Sequence, residues 1–197
     1  MNIKFKIKAL ELLTKIGNDF NIKIGLEDGT LLGAIRENRF IAHDLDIDIG
    51  MEYELWNKNL LNAFKKNGFR VRRIGFFRDD GILKFVGRNK EGAISKVKLV
   101  YKKISICFNV WHTGVDEYKD MVYYKAPSPK HCINVPKNLL FPKITYKFYD
   151  MDVWIPENYI QNIEFMYGES WRTPIKNYYD TPIHVENYKR FRNYYQT

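Results

Sequence analysis

Cysteine is scarce in this chain. Cys107 and Cys132 are its only two among 197 residues, and they form no CxxC pair and no zinc-type spacing. Two buried free thiols are expected, which excludes the disulfide framework of a small secreted scaffold and fits a reducing compartment. Long apolar runs are also missing. Nothing approaches the roughly 18 to 20 apolar residues that cross a bilayer. The first twenty residues interleave Lys4, Lys6, Lys8 and Lys15 with their apolar positions, so they lack the core of a secretory signal. There is no internal repeat, no low-complexity linker and no composition break. A single domain over 1–197 with no transmembrane segment is expected, cytoplasmic and at most peripheral to a membrane.

Apolar residues make up 45% of the chain and aromatics 16%. That is the composition of a globular protein with a substantial core. The net charge is +9, but it is unevenly spread. Residues 65–103 hold thirteen Lys/Arg against three Asp/Glu, while residues 27–54 hold eight Asp/Glu against two Arg. An acidic segment is therefore set in a basic protein. Clustered carboxylates repel one another unless a cation intervenes.

The period of the apolar residues predicts a helix over 4–20, with Ile7, Leu10, Leu13, Ile16 and Phe20 on one face. A short strand follows at 22–27, then a turn at Asp28-Gly29 and a helix capped by Thr30 that runs to about Asn38. Residues 45–51 alternate strictly and read as a half-buried strand. Residues 52–67 read as a helix closed by Asn67-Gly68. From Phe69 to Val110 the period is nearer two, predicting three or four antiparallel strands with turns near 79–81 and 89–92. Short strands broken by prolines occupy 119–155. Pro156 is placed to open a helix ending at Gly168, and the tail from Trp171 reads as a wrapping segment. The order of elements is that of an α+β fold.

Asp46 and Asp48 stand at i and i+2 on the alternating strand, so period two puts both carboxylates on one face. Two convergent carboxylates, completed by substrate phosphates, are what Mg²⁺ needs. Asp44 falls on the same face one step earlier. Upstream, the Gly29-Thr30 turn opens a helix, and helix-opening amides receive phosphate. Arg36 has the forked geometry for a diphosphate. His43 flanks the acidic strand, and His112 follows Trp111. For both histidines a structural role outweighs a catalytic one. A solvated acidic strand edge is the plain alternative for the aspartates, but charge on one face of a strand is unfavourable without a ligand.

These residues resemble a family. Asp28-Gly29-Thr30-Leu31-Leu32-Gly33-Ala34-Ile35-Arg36, Phe40-Ile41 and Asp44-Leu45-Asp46-Ile47-Asp48-Ile49-Gly50-Met51 are similar to the signature of the LicD/fukutin family. Leu140-Phe141-Pro142, Val153 to Pro156 and Tyr167-Gly168 with Trp171 and Pro174 resemble its closing segment, about 140–175. The resemblance implies a nucleotidyltransferase-like fold, a mixed or antiparallel sheet flanked by helices. It implies transfer of a phospho-alcohol such as phosphocholine or an alditol phosphate from a CDP-linked donor. The acceptor would be a glycan, a glycolipid or another hydroxyl compound, and CMP would be released. Under that reading Asp46 and Asp48 hold Mg²⁺ (or Mn²⁺), Asp44 takes a proton, and Gly29, Thr30, Arg36 and His43 bind substrate. The chain departs from the family pattern in its Ala42-His43 and in Leu45 among the acids. It departs also at Asn109, within Phe108-Asn109-Val110-Trp111, where the family carries another acid. Asn109 binds substrate in this reading and cannot be a base.

Nucleotidyl transfer on the same fold, a DxD glycosyltransferase and a non-enzymatic module binding RNA or an anionic polymer remain open. The last would use residues 65–103. For an enzyme, the same segment is expected to meet an anionic acceptor or surface, with Arg70 and Arg72 sharing a strand face, as do Lys96 and Lys98.

Overall fold

The computed structural model describes residues 3–76, 84–85, 94–113, 121–125 and 132–174. The expected turns at 79–81 and 89–92 and the tail beyond 174 lie outside those residues. Ten strands form a mixed sheet in the order β4-β3-β5-β6-β2-β1-β10-β9, with β7 paired to β6 and β8 to β7. The strands are β1 (Gly25–Leu26), β2 (Asp46–Glu52), β3 (Phe69–Phe76), β4 (Lys84–Phe85), β5 (Ile94–Tyr101), β6 (Ile104–Thr113), β7 (Met121–Lys125), β8 (Cys132–Pro136), β9 (Lys143–Phe148) and β10 (Met151–Pro156). The helices are α1 (Ile3–Asp19), α2 (Asp28–Glu37), α3 (Asn59–Lys66) and α4 (Tyr159–Tyr167). This is the expected α+β architecture, a mixed sheet flanked by helices.

β2 and β6 run parallel, as do β1 and β10, and the other pairs are antiparallel. Alternation then sorts the central strands into two faces. One face carries Ile47, Ile49 and Met51 of β2, Ile106, Phe108 and Val110 of β6, and Val97 and Leu99 of β5, all buried. Leu10 and Leu13 of α1 and Leu60 and Phe64 of α3 belong to the same core. Phe64 meets Phe108 edge-on at 5.6 Å. Burying these side chains, at about 1.5 to 3 kcal/mol each, fixes the strands. The opposite face carries the polar residues Asp46 and Asp48.

Several expected boundaries move, and the strand expected at 22–27 is only Gly25–Leu26. β2 continues to Glu52, because Glu52 pairs with Trp111 across the parallel ladder. A 3₁₀ turn follows at Tyr53–Leu55, where Tyr53 stacks on His112 at 4.1 Å. α3 is therefore only eight residues, though it closes at Asn67 as expected. Pro156 ends β10 opposite Lys143 and does not open α4. The helix starts after Asn158 and ends at Gly168 with φ +80°. The β9–β10 hairpin turns on Tyr149 and Asp150, both at positive φ, the geometry of a two-residue turn that matches strand twist. The Tyr149 hydroxyl accepts from Phe40 N at 3.1 Å, tying this hairpin to the loop that feeds β2.

Candidate active site

Asp46 and Asp48 open β2 on its polar face. Across the parallel ladder Asp48 stands beside Cys107 and Gly50 beside Asn109. The antiparallel β5 continues these rows, with Lys98 opposite Cys107 and Lys96 opposite Asn109. One row thus reads Asp48, Cys107, Lys98, and the next Gly50, Asn109, Lys96. Cys107 Sγ donates to Asp46 Oδ2 at 3.0 Å, and Lys98 Nζ reaches Sγ at 2.8 Å and Asp46 at 3.5 Å. Donor atoms of Asp46, Asp48 and Cys107 lie within 4.8 Å of one another, a grouping able to hold a metal ion.

Two more aspartates join them. Asp28 is the first residue of α2, at φ +43°. Asp44 sits in the loop before β2, and its Oδ2 is buried without a partner among the described residues. Gly29 makes this approach possible: a Cβ there would lie 2.8 Å from Asp44 Oδ2 and 3.6 Å from Asp48 Oδ2. The positive end of α2 therefore faces the carboxylates. From below, Lys6 of α1 donates to the carbonyls of Asp44 (3.1 Å) and Asp46 (2.8 Å) and is itself buried.

Burial and mutual repulsion mark the cluster. Burial, then the charges of Asp28, Asp46 and Asp44, holds Asp48 well above the usual carboxylate range. Burial also raises Asp28 and Asp44. Burial acts on Asp46 too, but the Cys107 thiol and Lys98 overcome it and hold Asp46 below its ordinary value. A raised acid binds more protons folded than unfolded. Its repulsion is fully present above the folded value and relieved as pH falls toward the unfolded one. In EDTA, the melting temperature should accordingly rise as pH is lowered from 7.5 toward about 5. A saturating divalent ion should flatten that slope, which differential scanning fluorimetry will read.

A second buried network lies beneath the cluster. Glu27 is fully buried and accepts from Asn109 Nδ2 (2.9 Å) and Trp111 Nε1 (2.7 Å). Its carboxylate occupies the space that a Cβ on Gly50 would need. Lys143 of β9 donates to Gly50 O at 2.6 Å. Burial, opposed chiefly by Lys143, pushes Glu27 up to about 7. Burial, opposed by Glu27, lowers Lys143 to about 8.

The expected site residues thus divide. Asp44, Asp46, Asp48 and Gly29 come together. Thr30 neither caps α2 nor faces the cluster; Glu27 holds the cap position. The buried Thr30 Oγ1 accepts from Asp48 N at 2.9 Å, clamping β2 to α2. Arg36 is about 12 Å along the helix from Asp28. Its guanidinium engages Glu37 (2.6 Å) and the carbonyl of Trp171 (3.2 Å). His43 is exposed beside Asp44. Asn109 is wholly buried; its Nδ2 serves Glu27 while its Oδ1 has no hydrogen-bond partner among the described residues, and Cys107 meets Asp46 from β6. His112 is buried against Ile94 O at 2.7 Å, a structural role. Lys96 and Lys98 do not form an outward basic face. Lys96 is 7% exposed, and both lie among the acids because cross-strand register turns them inward. Arg72 is the extra residue of a bulge in β3, which leaves Arg70 and Arg73 in register with Val100 and Lys98.

Sequence reasoning missed Asp28, Cys107 and Lys6 as site residues, and it set Lys96 and Lys98 on an outward face instead of among the acids. Period two from Asn109 reaches Cys107, but only the cross-strand register reveals its partners. A cleft of about 960 Å³ lies at the other end of β2, lined by Glu52, Lys23, Lys143, Phe141 and Trp154. Glu52 is six residues, about 20 Å, from Asp46, so the cleft is separate from the carboxylates.

The chain matches the LicD/FKTN/FKRP nucleotidyltransferase domain over residues 21–158. It belongs to that family. Among its relatives, human ribitol-5-phosphate transferase FKTN is 26% identical over 175 residues, covering 87% of this chain and 34% of FKTN. An uncharacterized Rickettsia typhi protein, RT0683, is 29% identical over 161 residues, covering 81% of this chain and 43% of that one. The chain thus spans less than half the length of either. A solved structure of similar fold is ANT(2")-Ia in complex with adenylyl-2"-tobramycin. It aligns with TM-score 0.50 at 14% identity, over 93% of this chain and 86% of that one. Among the described residues no helix is long and apolar enough to cross a membrane.

Proposed function

We propose that this LicD-family domain transfers a phospho-alcohol group from a CDP-linked donor to a hydroxyl of a glycan or related acceptor, releasing CMP. What carries the reading is the convergence of Asp28, Asp44, Asp46 and Asp48 on one spot flanked by Lys96 and Lys98. So many carboxylates, one with an orphaned buried oxygen, fit a divalent cation. Asp46 and Asp48 would hold it: Mg²⁺, or Mn²⁺ as the alternative. When bound, the ion supplies charge neutralisation at the diphosphate.

The chain's own residues do the rest. Gly29 leaves room for Asp44 against the first turn of α2, whose positive end faces the reacting phosphates. Lys98 and Lys96 add positive charge on the β5 side. Asp44 accepts the proton of the acceptor hydroxyl, helped by the raised affinity that burial gives it. The hydroxyl oxygen bonds to the phosphorus bearing the alcohol, the bond to the CMP oxygen breaks, and CMP leaves. Thr30 and Lys6 hold the Asp48 and Asp46 backbones in place.

A thermal-shift series with CDP, CMP, ADP and ATP, with and without Mg²⁺, tests the donor. CDP should raise the melting temperature more than ATP does, and Mg²⁺ should enlarge the CDP shift. Equal shifts for ATP and CDP, or pyrophosphate as the product with a nucleoside triphosphate, would favour nucleotidyl transfer on the same fold.

A further inference from the structure

We infer that Cys107 is the third ligand of the metal site and shifts its preference from Mg²⁺ toward softer divalent ions such as Co²⁺ and Cd²⁺. The inference rests on the reading of Asp46 and Asp48 as metal ligands. Its first support is placement: the β2–β6 register sets Cys107 beside Asp48, on the face that carries both aspartates. The second is distance. Sγ is 3.0 Å from Asp46 Oδ2, and the three donors fall within 4.8 Å of one another, so an ion held by the two aspartates lies within reach of sulfur. The third is the neighbourhood. A buried thiol that merely packs sits among apolar groups, but this one lies between a carboxylate and the Lys98 ammonium at 2.8 Å.

Sulfur changes what such a site selects. Carboxylate and water ligands suit Mg²⁺, whereas thiolate favours softer ions. Only the thiolate ligates, so uptake displaces the Sγ proton to the buffer, and the Asp46 oxygen it occupied becomes free for the ion. Lys98, already within hydrogen-bonding distance of sulfur, remains to offset the added negative charge.

The test uses the whole chain as wild type, Cys107→Ser, Cys107→Asp and Asp48→Asn, with Cys132 retained throughout and folding checked by circular dichroism. Co²⁺ titration should give the wild type a sulfur-to-cobalt charge-transfer band in the near ultraviolet, and Cys107→Ser should lack it. Calorimetric Kd values for Mg²⁺, Mn²⁺ and Cd²⁺ should favour Cd²⁺ over the two harder ions in the wild type. Cys107→Asp should move the Cd²⁺-to-Mg²⁺ preference toward Mg²⁺ by about tenfold or more. Co²⁺ binding without the band, a band that survives in Cys107→Ser, or ratios unchanged in Cys107→Asp would overturn the inference while leaving the metal site standing. If the wild type binds no divalent ion, or binds it as well after Asp48→Asn, the metal-site reading fails and the role of Cys107 with it.

Discussion

Asp48→Asn should lower transfer by about 10³-fold or more while leaving the metal-free protein as stable as the parent or slightly more so. The two effects separate because Asp48 is at once the most repelled carboxylate of the cluster and a proposed metal ligand. Removing its charge relieves Asp28, Asp44 and Asp46, and the amide can still occupy the site beside Cys107. Like-charge relief of this kind is worth up to about 1 kcal/mol. Asp46→Asn should lose as much activity but gain less stability, because Asp46 is held in its charged form by Cys107 and Lys98. Steady-state rates alongside denaturant melts in EDTA decide it. An Asp48→Asn protein that keeps a tenth of its activity, or one that melts well below the parent in EDTA, would remove Asp48 from the proposed role.

The second large effect is on stability. Glu27→Ala should cost about 3 to 5 kcal/mol, because it strands Lys143, Asn109 and Trp111 in a dry interior. For a domain of this size that is a drop of about 10 °C or more in melting temperature. Lys143→Met should cost a similar amount, since it leaves Glu27 buried without its opposing charge and Gly50 O without its donor. The double variant Glu27→Gln/Lys143→Met removes both charges at once and should cost clearly less than the sum of the single changes Glu27→Gln and Lys143→Met. A coupling above about 1 kcal/mol is expected. Strict additivity in urea melts would mean that the two residues act independently.

The parts of the site legible in the sequence are those written along one strand. Asp46 and Asp48 alternate with the apolar Ile47 and Ile49, and that alternation sorts them onto two faces without reference to any partner strand. The helix at the N-terminus is equally legible, because Leu10, Leu13 and Ile16 repeat on one face and are buried there. What depends on pairing is hidden. Lys96 and Lys98 look like surface charge until β5 is set against β6 and β6 against β2. Cys107 looks like a core thiol until the same two ladders carry it beside Asp48. Asp28 reads as a turn residue, because nothing local says that α2 begins there. Thr30 has the side chain of a helix cap, yet Glu27 takes the cap position, and the Thr30 hydroxyl serves an amide eighteen residues away.

β1 is two residues long and lies between β2 and β10, with Gly25 paired to Trp154. Its outer edge therefore waits on a segment 129 residues further along the chain. Closing so long a loop has an entropic cost that local contacts do not offset, and parallel non-local pairings form late and slowly. Every aspartate of the cluster has left the ribosome long before Lys143 and β10 emerge to cover Glu27. During synthesis the acidic strand and its short neighbour thus exist first as an unfinished edge. On this topology the β9–β10 hairpin, and not the residues proposed to do the chemistry, is expected to be the last part of this sheet to settle.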